Sequence, residues 1–140
     1  MTKKIIFILF ILIIAISSFA FMSSNRGKDQ KLTSALYKTG ITIIDIRTKS
    51  EWVQTGIVRG SKTLTFFDKN GKYNARDFLY NLSKLVQKDE AFAIICRTGN
   101  RTTTVAKFLK QNGYPRVINL LGGVKQAAKN GIQFEKYRSF

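Results

Sequence analysis

One cysteine stands in the run Cys96-Arg97-Thr98-Gly99-Asn100-Arg101, among neighbours of the kinds that make a thiol reactive. A loop of this composition, placed between a strand end and a helix start, can curl so that successive backbone N–H groups point inward. Together with the positive end of the helix dipole, that nest stabilises an anion at its centre. A sulfur held there has a depressed pKa and is a thiolate near neutral pH. Gly99 permits backbone conformations closed to residues with a side chain. Arg97 and Arg101 can hold an anionic substrate through charge-assisted hydrogen bonds. The bland alternative is a small buried hydrophobe ending a strand. One Gly and two Arg within five residues of Cys96 weigh toward chemistry.

Composition removes most rival chemistries. The 140 residues contain no His, which excludes a Ser-His-Asp triad, a Cys-His dyad and any His-based metal site. With one Cys there is neither a thiolate metal cluster nor an intramolecular disulfide. No cofactor and no metal are expected. Lys and Arg number 24 against 8 Asp and Glu, for a formal charge of +16. The basic residues are scattered, and no basic helix is interleaved with aromatics, so a solvated Lys-rich surface is favoured over a nucleic-acid partner. Binding of anionic lipid or another polyanion remains a rival function, and would persist without the thiol and weaken steeply with salt.

The elements that must position Cys96 alternate strand and helix. Asp29 is expected to cap a short helix through Leu32, Ala35 and Leu36, closed by Gly40. Ile41–Ile46 reads as a buried strand. Thr48-Lys49-Ser50-Glu51 has capping-box spacing and opens a helix through Trp52 and Val53. Gly56 and Gly60 break the chain, and Thr63–Phe67 reads as a second strand. After a turn at Asp68–Gly71, Asn74 caps a helix with Phe78, Leu82, Leu85 and Val86 at helical spacing. Ala91–Ile95 is a third strand ending at Cys96. A helix is predicted from Thr102, with Val105, Phe108 and Leu109 on one face. Arg116–Leu121 is a fourth strand, Gly122-Gly123 a tight turn, and Val124–Asn130 a last helix. This alternation predicts a parallel sheet covered on both faces, whose ligands sit at the carboxyl ends of the strands. Cys96 is in that position.

Residues 1–22 stand apart from the domain. Lys3 and Lys4 precede twelve uninterrupted apolar residues, Ile5–Ile16, then Ser17-Ser18-Phe19-Ala20. This is the pattern of a secretory signal cleaved after Ala20. Ile5–Met22 could instead remain as a membrane anchor, since its 18 residues reach the roughly 17–25 that span a bilayer. The expected organisation is a signal peptide or N-terminal anchor over 1–22, a linker over 23–30 and a domain over 31–140. The expected location is outside the cytoplasm, in a periplasm, with a membrane tether through residues 5–22 if the leader is kept.

Three motifs carry a resemblance. The loop from Cys96 to Arg101 resembles the active-site loop of the rhodanese-like sulfurtransferases. Ile43-Ile44-Asp45-Ile46-Arg47, with Glu51-Trp52, Gly56 and Gly60-Ser61, is similar to that family's first motif, and Leu121-Gly122-Gly123 to its carboxyl-terminal motif. They occur in family order over residues 41 to 131. Departures are one residue more than the commonest spacing between Glu51 and Gly56, Ile57-Val58-Arg59 directly after that Gly, and Ala127 after the Gly-Gly turn. The resemblance implies a three-layer α/β fold with a central, mainly parallel sheet of four to five strands and helices on both faces. It implies that Cys96 takes a sulfane sulfur from a small anionic donor such as thiosulfate, holds it as a persulfide and passes it to a thiol or protein acceptor. Arg97, Thr98, Gly99, Asn100, Arg101 and Thr102 would bind substrate, with Asp45, Arg47 and Glu51 supporting the loop.

Two alternatives share these residues. A persulfide carrier or binding module would accept sulfur without turning over a small molecule. A phosphatase or arsenate reductase would use a related Cys–Arg loop, but the four residues between Cys96 and Arg101 make this loop one shorter than those that cradle a tetrahedral oxyanion.

Overall fold

The structure, a computed structural model, describes residues 27–139. The expected leader lies outside the described residues, and so does the first half of the expected linker. Among the described residues no helix is long and apolar enough to cross a membrane.

Strands β1 (Thr42–Asp45), β3 (Lys62–Thr63), β4 (Phe92–Ile95) and β5 (Val117–Asn119) form one parallel sheet in the order β3-β1-β4-β5. Ile44 lies opposite Ile94, and Ile94 opposite Asn119, so the sheet's centre is built from β1 and β4. Side chains alternate across it, as a strand period of two requires. Ile44, Phe92, Ile94 and Val117 join the core under helices α3 (Ala75–Ser83) and α4 (Asn100–Gln111). Ile43, Ala93, Ile95 and Ile118 face the opposite layer, with Val124 and Ala127 of α5 (Gly123–Lys129) and Leu36 of α1 (Ser34–Lys38). The three-layer α/β arrangement with a four-stranded parallel sheet is therefore as expected. Helix α2 (Lys49–Thr55) follows β1 at the carboxyl end of the sheet.

Several boundaries differ from the sequence reading, each for an identifiable reason. Asp29 caps no helix: α1 starts later, where Thr33 Oγ1 accepts from the Leu36 N–H at 3.2 Å. The residues before it are held by the sheet instead. The Gln30 N–H donates to the Asn119 carbonyl at 3.1 Å, and the Leu121 N–H donates to the Gln30 carbonyl at 2.9 Å. The last part of the expected linker thus runs beside β5, because edge pairing satisfies its backbone better than a local cap. The strand expected over Thr63–Phe67 is shorter and begins at Lys62. Past Thr63 only single contacts continue, from Leu64 N to Asp45 O and from Phe66 N to Ile46 O, as the chain turns Phe66 into the core. Ile57–Val58, read as a break between glycines, forms β2 and pairs antiparallel with β6 (Phe134–Glu135). No expectation covered β6, since two-residue strands have too few positions to show a period.

The local signals held where both partners lie within one turn. Thr48 and Glu51 form the reciprocal capping box at the start of α2. Asn74 caps α3 through the Asp77 N–H, and Phe78 and Leu82 are its buried positions.

Candidate active site

β4 delivers Cys96 to the carboxyl end of the sheet, where the Ile46 N–H still pairs with the Ile95 carbonyl at 3.0 Å. The next residues form a tight loop, and α4 begins at Asn100 rather than at the expected Thr102. Thr102 sits within the first turn instead of opening it. The cap position belongs to Gly99, with φ +94°, in the left-handed region that favours glycine. In that conformation the Gly99 N–H turns back and donates to Cys96 Sγ at 3.1 Å. A side chain here would be blocked as well as strained, because a Cβ on Gly99 would lie 2.9 Å from the Gly122 nitrogen.

Cys96 is buried, with 1% of its surface exposed. Burial pushes its thiol pKa up, but hydrogen bonds outweigh burial and the net shift is downward. They come from the Thr102 side chain and backbone and from the Thr98 and Gly99 backbone. The Thr102 hydroxyl lies 3.5 Å from the sulfur and 3.0 Å from the Gly99 carbonyl oxygen. The loop therefore favours an anion at Sγ and supplies donors of fixed direction around it.

The predicted substrate-binding residues divide into a rim and a support. Arg97, Thr98 and Asn100 are exposed, and among the described residues the Arg97 guanidinium has no hydrogen-bond or ion-pair partner. Gly99 and Thr102 are buried behind them. Arg101 is committed: Nη1 donates to Glu51 Oε2 at 2.8 Å, and Nη2 to Glu51 Oε1 at 2.6 Å. That fork holds the Glu51 carboxyl down at about 2, although burial opposes it, and raises the Arg101 pKa, to which the Cys96 sulfur also contributes. A donor reaching for Arg101 would compete with this carboxylate.

Asp45 and Arg47 lie deeper, away from the solvent-facing rim. Arg47 Nε and Nη2 donate to the Asp45 carboxylate at 2.7–3.1 Å, and the pair is almost wholly buried. Its remaining donors reach Thr55 Oγ1 and the Gly56 carbonyl, both at 2.7 Å, pinning the end of α2 to the end of β1. Since α2 carries Glu51, this buried pair sets the height at which Arg101 is met.

Two further parts of the site were not singled out for their contacts. At the start of α5 the Val124 N–H donates to the Cys96 carbonyl at 2.8 Å, and the Lys125 N–H to the Arg97 carbonyl at 3.3 Å. The Gly-Gly pair was visible as a turn, but the loop it packs on was not. Behind α4, Thr103 Oγ1 donates to the Gly99 carbonyl at 2.9 Å and accepts from Asn119 Nδ2 at 3.1 Å. The signal for Asn119 was a lone amide in the apolar strand Val117-Ile118-Asn119-Leu120.

Cavities of about 400 and about 480 Å³ lie away from the sulfur, the first over Thr103 and Lys107, the second beside Ser61 and Tyr137. Among the described residues no cluster of three or more Cys, Asp or Glu side chains is placed to hold a metal ion.

A family model described as the rhodanese-like domain matches residues 29–130. A sulfurtransferase of Allochromatium vinosum is 40% identical over 47 residues, 34% of this chain and 44% of that protein. The mitochondrial protein HIGH ARSENIC CONTENT 1 of Arabidopsis thaliana is 26% identical over 99 residues, 70% of this chain and 59% of that protein. The chain thus spans about half the length of these two curated relatives. Among solved structures, a rhodanese-related protein from Thermoplasma volcanium superposes with a TM-score of 0.57 at 22% identity, covering 77% of this chain and 99% of that one. A rhodanese-like domain protein from Staphylococcus aureus gives a TM-score of 0.54 at 21% identity, covering 76% and 98%. At these identities the structural likeness is one of fold.

Proposed function

Because the chain belongs to the rhodanese-like domain family, we propose that it is a sulfurtransferase of the thiosulfate type, carrying a sulfane sulfur on Cys96. The Cys96 thiolate attacks the outer sulfur of a small anionic donor such as thiosulfate. The new Sγ–S bond forms as the donor's S–S bond breaks, and sulfite leaves with the bonding electron pair. An acceptor thiolate, free or on a protein, then attacks the outer sulfur and regenerates the Cys96 thiolate. Neither step needs a general base, which suits a site without histidine.

The observation that carries this reading is the Gly99 N–H on Cys96 Sγ at 3.1 Å, within a loop that lowers the thiol pKa. The donors that favour the thiolate would serve the persulfide anion equally, since the charge moves outward by one atom only. Arg97, exposed and without a side-chain partner among the described residues, is assigned the capture of the donor's sulfonate, with the Thr98 and Asn100 surfaces beside it. Arg101 is assigned a field effect at the sulfur rather than a grip on the donor, because its fork is on Glu51. The same commitment counts against phosphatase or arsenate-reductase chemistry, which needs that arginine free to clasp a tetrahedral oxyanion. Residues 1–22 are read as an export leader, so the domain is assigned to the periplasmic side, released or tethered.

The test is the intact mass of the purified protein before and after thiosulfate, in wild type and Cys96→Ser. The expected result is a gain of one sulfur atom in wild type only, reversed by cyanide with thiocyanate released. Absence of the gain on folded wild type overturns thiosulfate as donor. Sulfur accepted from a partner protein without turnover would replace the enzyme by a carrier.

A further inference from the structure

The N–H that meets the sulfur belongs to the Thr98–Gly99 peptide, and its direction relative to the next peptide is set by the φ and ψ of Gly99 alone. Glycine does not hold a left-handed conformation by itself, because it populates many others. Here the Gly99 carbonyl is anchored from behind by three donors: Thr102 Oγ1 at 3.0 Å, Thr103 Oγ1 at 2.9 Å and the Thr103 N–H at 3.1 Å. The Thr102 hydroxyl also lies against Cys96 Sγ, so its proton has two claimants. The Thr103 hydroxyl has one claimant, provided that something keeps it turned inward on the rim of α4.

Asn119 does this. Its side chain is fully buried at 0% exposure, and its Nδ2 lies 3.1 Å from Thr103 Oγ1 and 3.5 Å from Asp29 Oδ2. The direction of the amide follows from its partners. A carbonyl oxygen can only accept, so Thr103 must donate to Gly99 and has only a lone pair left for Asn119. The Asp29 carboxylate oxygen is likewise met by a donor. Both contacts therefore require the NH₂ end of the amide, and Oδ1 is left buried without a partner among the described residues. An orphaned buried carbonyl is a standing cost that an apolar side chain in this strand would not carry.

We propose that Asn119 is a positioning residue for the cysteine loop, orienting the Thr103 hydroxyl onto the Gly99 carbonyl and so holding the Gly99 dihedrals that aim its N–H at Cys96 Sγ. The inference rests on the reading of Cys96 as a working nucleophile. The charged groups of the neighbouring elements are Arg97 on the loop, Arg101 on α4 with Glu51 on α2, and the Asp45–Arg47 pair at the end of β1. Asp29 and Lys110 lie at the outer end of the relay, 3.8 Å apart. All of them stay in place in the variants below.

The experiment is the rate of Cys96 alkylation by iodoacetamide against pH, which needs no sulfur donor. In Thr103→Val and in Asn119→Ala the midpoint is expected to rise by about half to one pH unit, with the rate below it falling about three- to tenfold. The double variant should match Thr103→Val alone, because Asn119 acts through that hydroxyl. Thr103→Ser should restore the wild-type profile. Ile118→Val, which removes a buried methyl next door, should leave it unchanged. An unmoved midpoint in folded Thr103→Val overturns the proposal, as does an equal rise in Ile118→Val. Thr103 is exposed, so its Val variant carries the test even if Asn119→Ala does not fold. Sulfur uptake by the wild type is scored separately: shifted midpoints without uptake would leave Asn119 in its role and remove the sulfurtransferase reading.

Discussion

Arg101 and Glu51 lie 50 residues apart in the chain and meet in a two-pronged ion pair, with N···O distances of 2.6 and 2.8 Å. One stands on the first turn of α4, directly after the cysteine loop, and the other on the first turn of α2. The pair therefore ties the loop to the helix that follows β1. Glu51 also closes the capping box on Thr48, so a single carboxylate serves a local and a long-range role.

This pairing makes part of the stability acid-sensitive. The Glu51 carboxyl sits at about 2 in the folded protein, below its ordinary value of 4.5. A depressed carboxyl stabilises the fold above its unfolded value and loses that contribution as pH falls through the folded one. Glu51→Gln is thus expected to unfold more easily at pH 7, by about 1 kcal/mol once the partial exposure of the pair is allowed for. The difference from wild type should shrink between about pH 5 and pH 2. Urea denaturation across that range measures it, and a constant difference would mean that the loss does not come from the ionised carboxylate.

The Asp45–Arg47 pair predicts a larger effect of a different kind. Both side chains are almost fully buried, and Arg47 also donates to Thr55 and Gly56. Removing one partner leaves a desolvated charge, at a cost of about 3–5 kcal/mol. Asp45→Ala and Arg47→Ala should each lose that much in chemical denaturation. The double variant should lose less than the sum of the two. Additive losses would mean that the two side chains stabilise the fold independently.

The parts of this molecule that were legible in its sequence are those whose cause is local. The capping box Thr48–Glu51, the Asn74 cap, the apolar strands around Ile44 and Ile94, and the Cys96–Arg101 loop all declare themselves within a few residues. What stayed hidden depends on partners far along the chain. Asp29 is as good a cap as Thr33 until β5 offers Gln30 a ladder to join. Ile57–Val58 becomes a strand only because Phe134–Glu135 returns to pair with it. The sequence placed Arg101 near the sulfur, but not the carboxylate that occupies its fork. Asn119 was visible only as an unexplained amide among apolar neighbours.

Gly123 shows the same dependence on distant chain. Its φ is +59°, and a Cβ there would fall on the Cys96 carbonyl oxygen and lie 2.5 Å from the Arg97 carbonyl carbon. These are backbone atoms on a loop held from several sides, so they cannot yield cheaply. Gly123→Ala is expected to destabilise the protein by more than about 2 kcal/mol. It should also slow Cys96 alkylation at neutral pH, since the displaced Arg97–Thr98 peptide carries the Thr98 N–H that faces the sulfur. Gly131→Ala shares the positive φ but meets nothing within 4 Å among the described residues, and should show the milder backbone strain without the change in reactivity. Equal alkylation rates in the two variants would mean that the α5 turn does not shape the loop.

On the proposed sulfurtransferase reading, Arg97 separates donor binding from the chemical step. Its guanidinium is exposed beside the loop and, among the described residues, is engaged by no other side chain, so it is free to meet a doubly charged donor. Such a contact is made before the S–S bond breaks and persists while it does, so it contributes mainly uniform binding. Arg97→Ala should therefore raise the KM for thiosulfate about tenfold, equivalent to about 1.4 kcal/mol, with kcat nearly unchanged. Because the site is solvent-facing, the wild-type KM should rise with ionic strength, and the variant's should rise less. Steady-state thiocyanate formation at two salt concentrations reads both effects. An unchanged KM would remove Arg97 from donor capture and leave the backbone donors of the loop, with the field of Arg101, as the attraction for the anion.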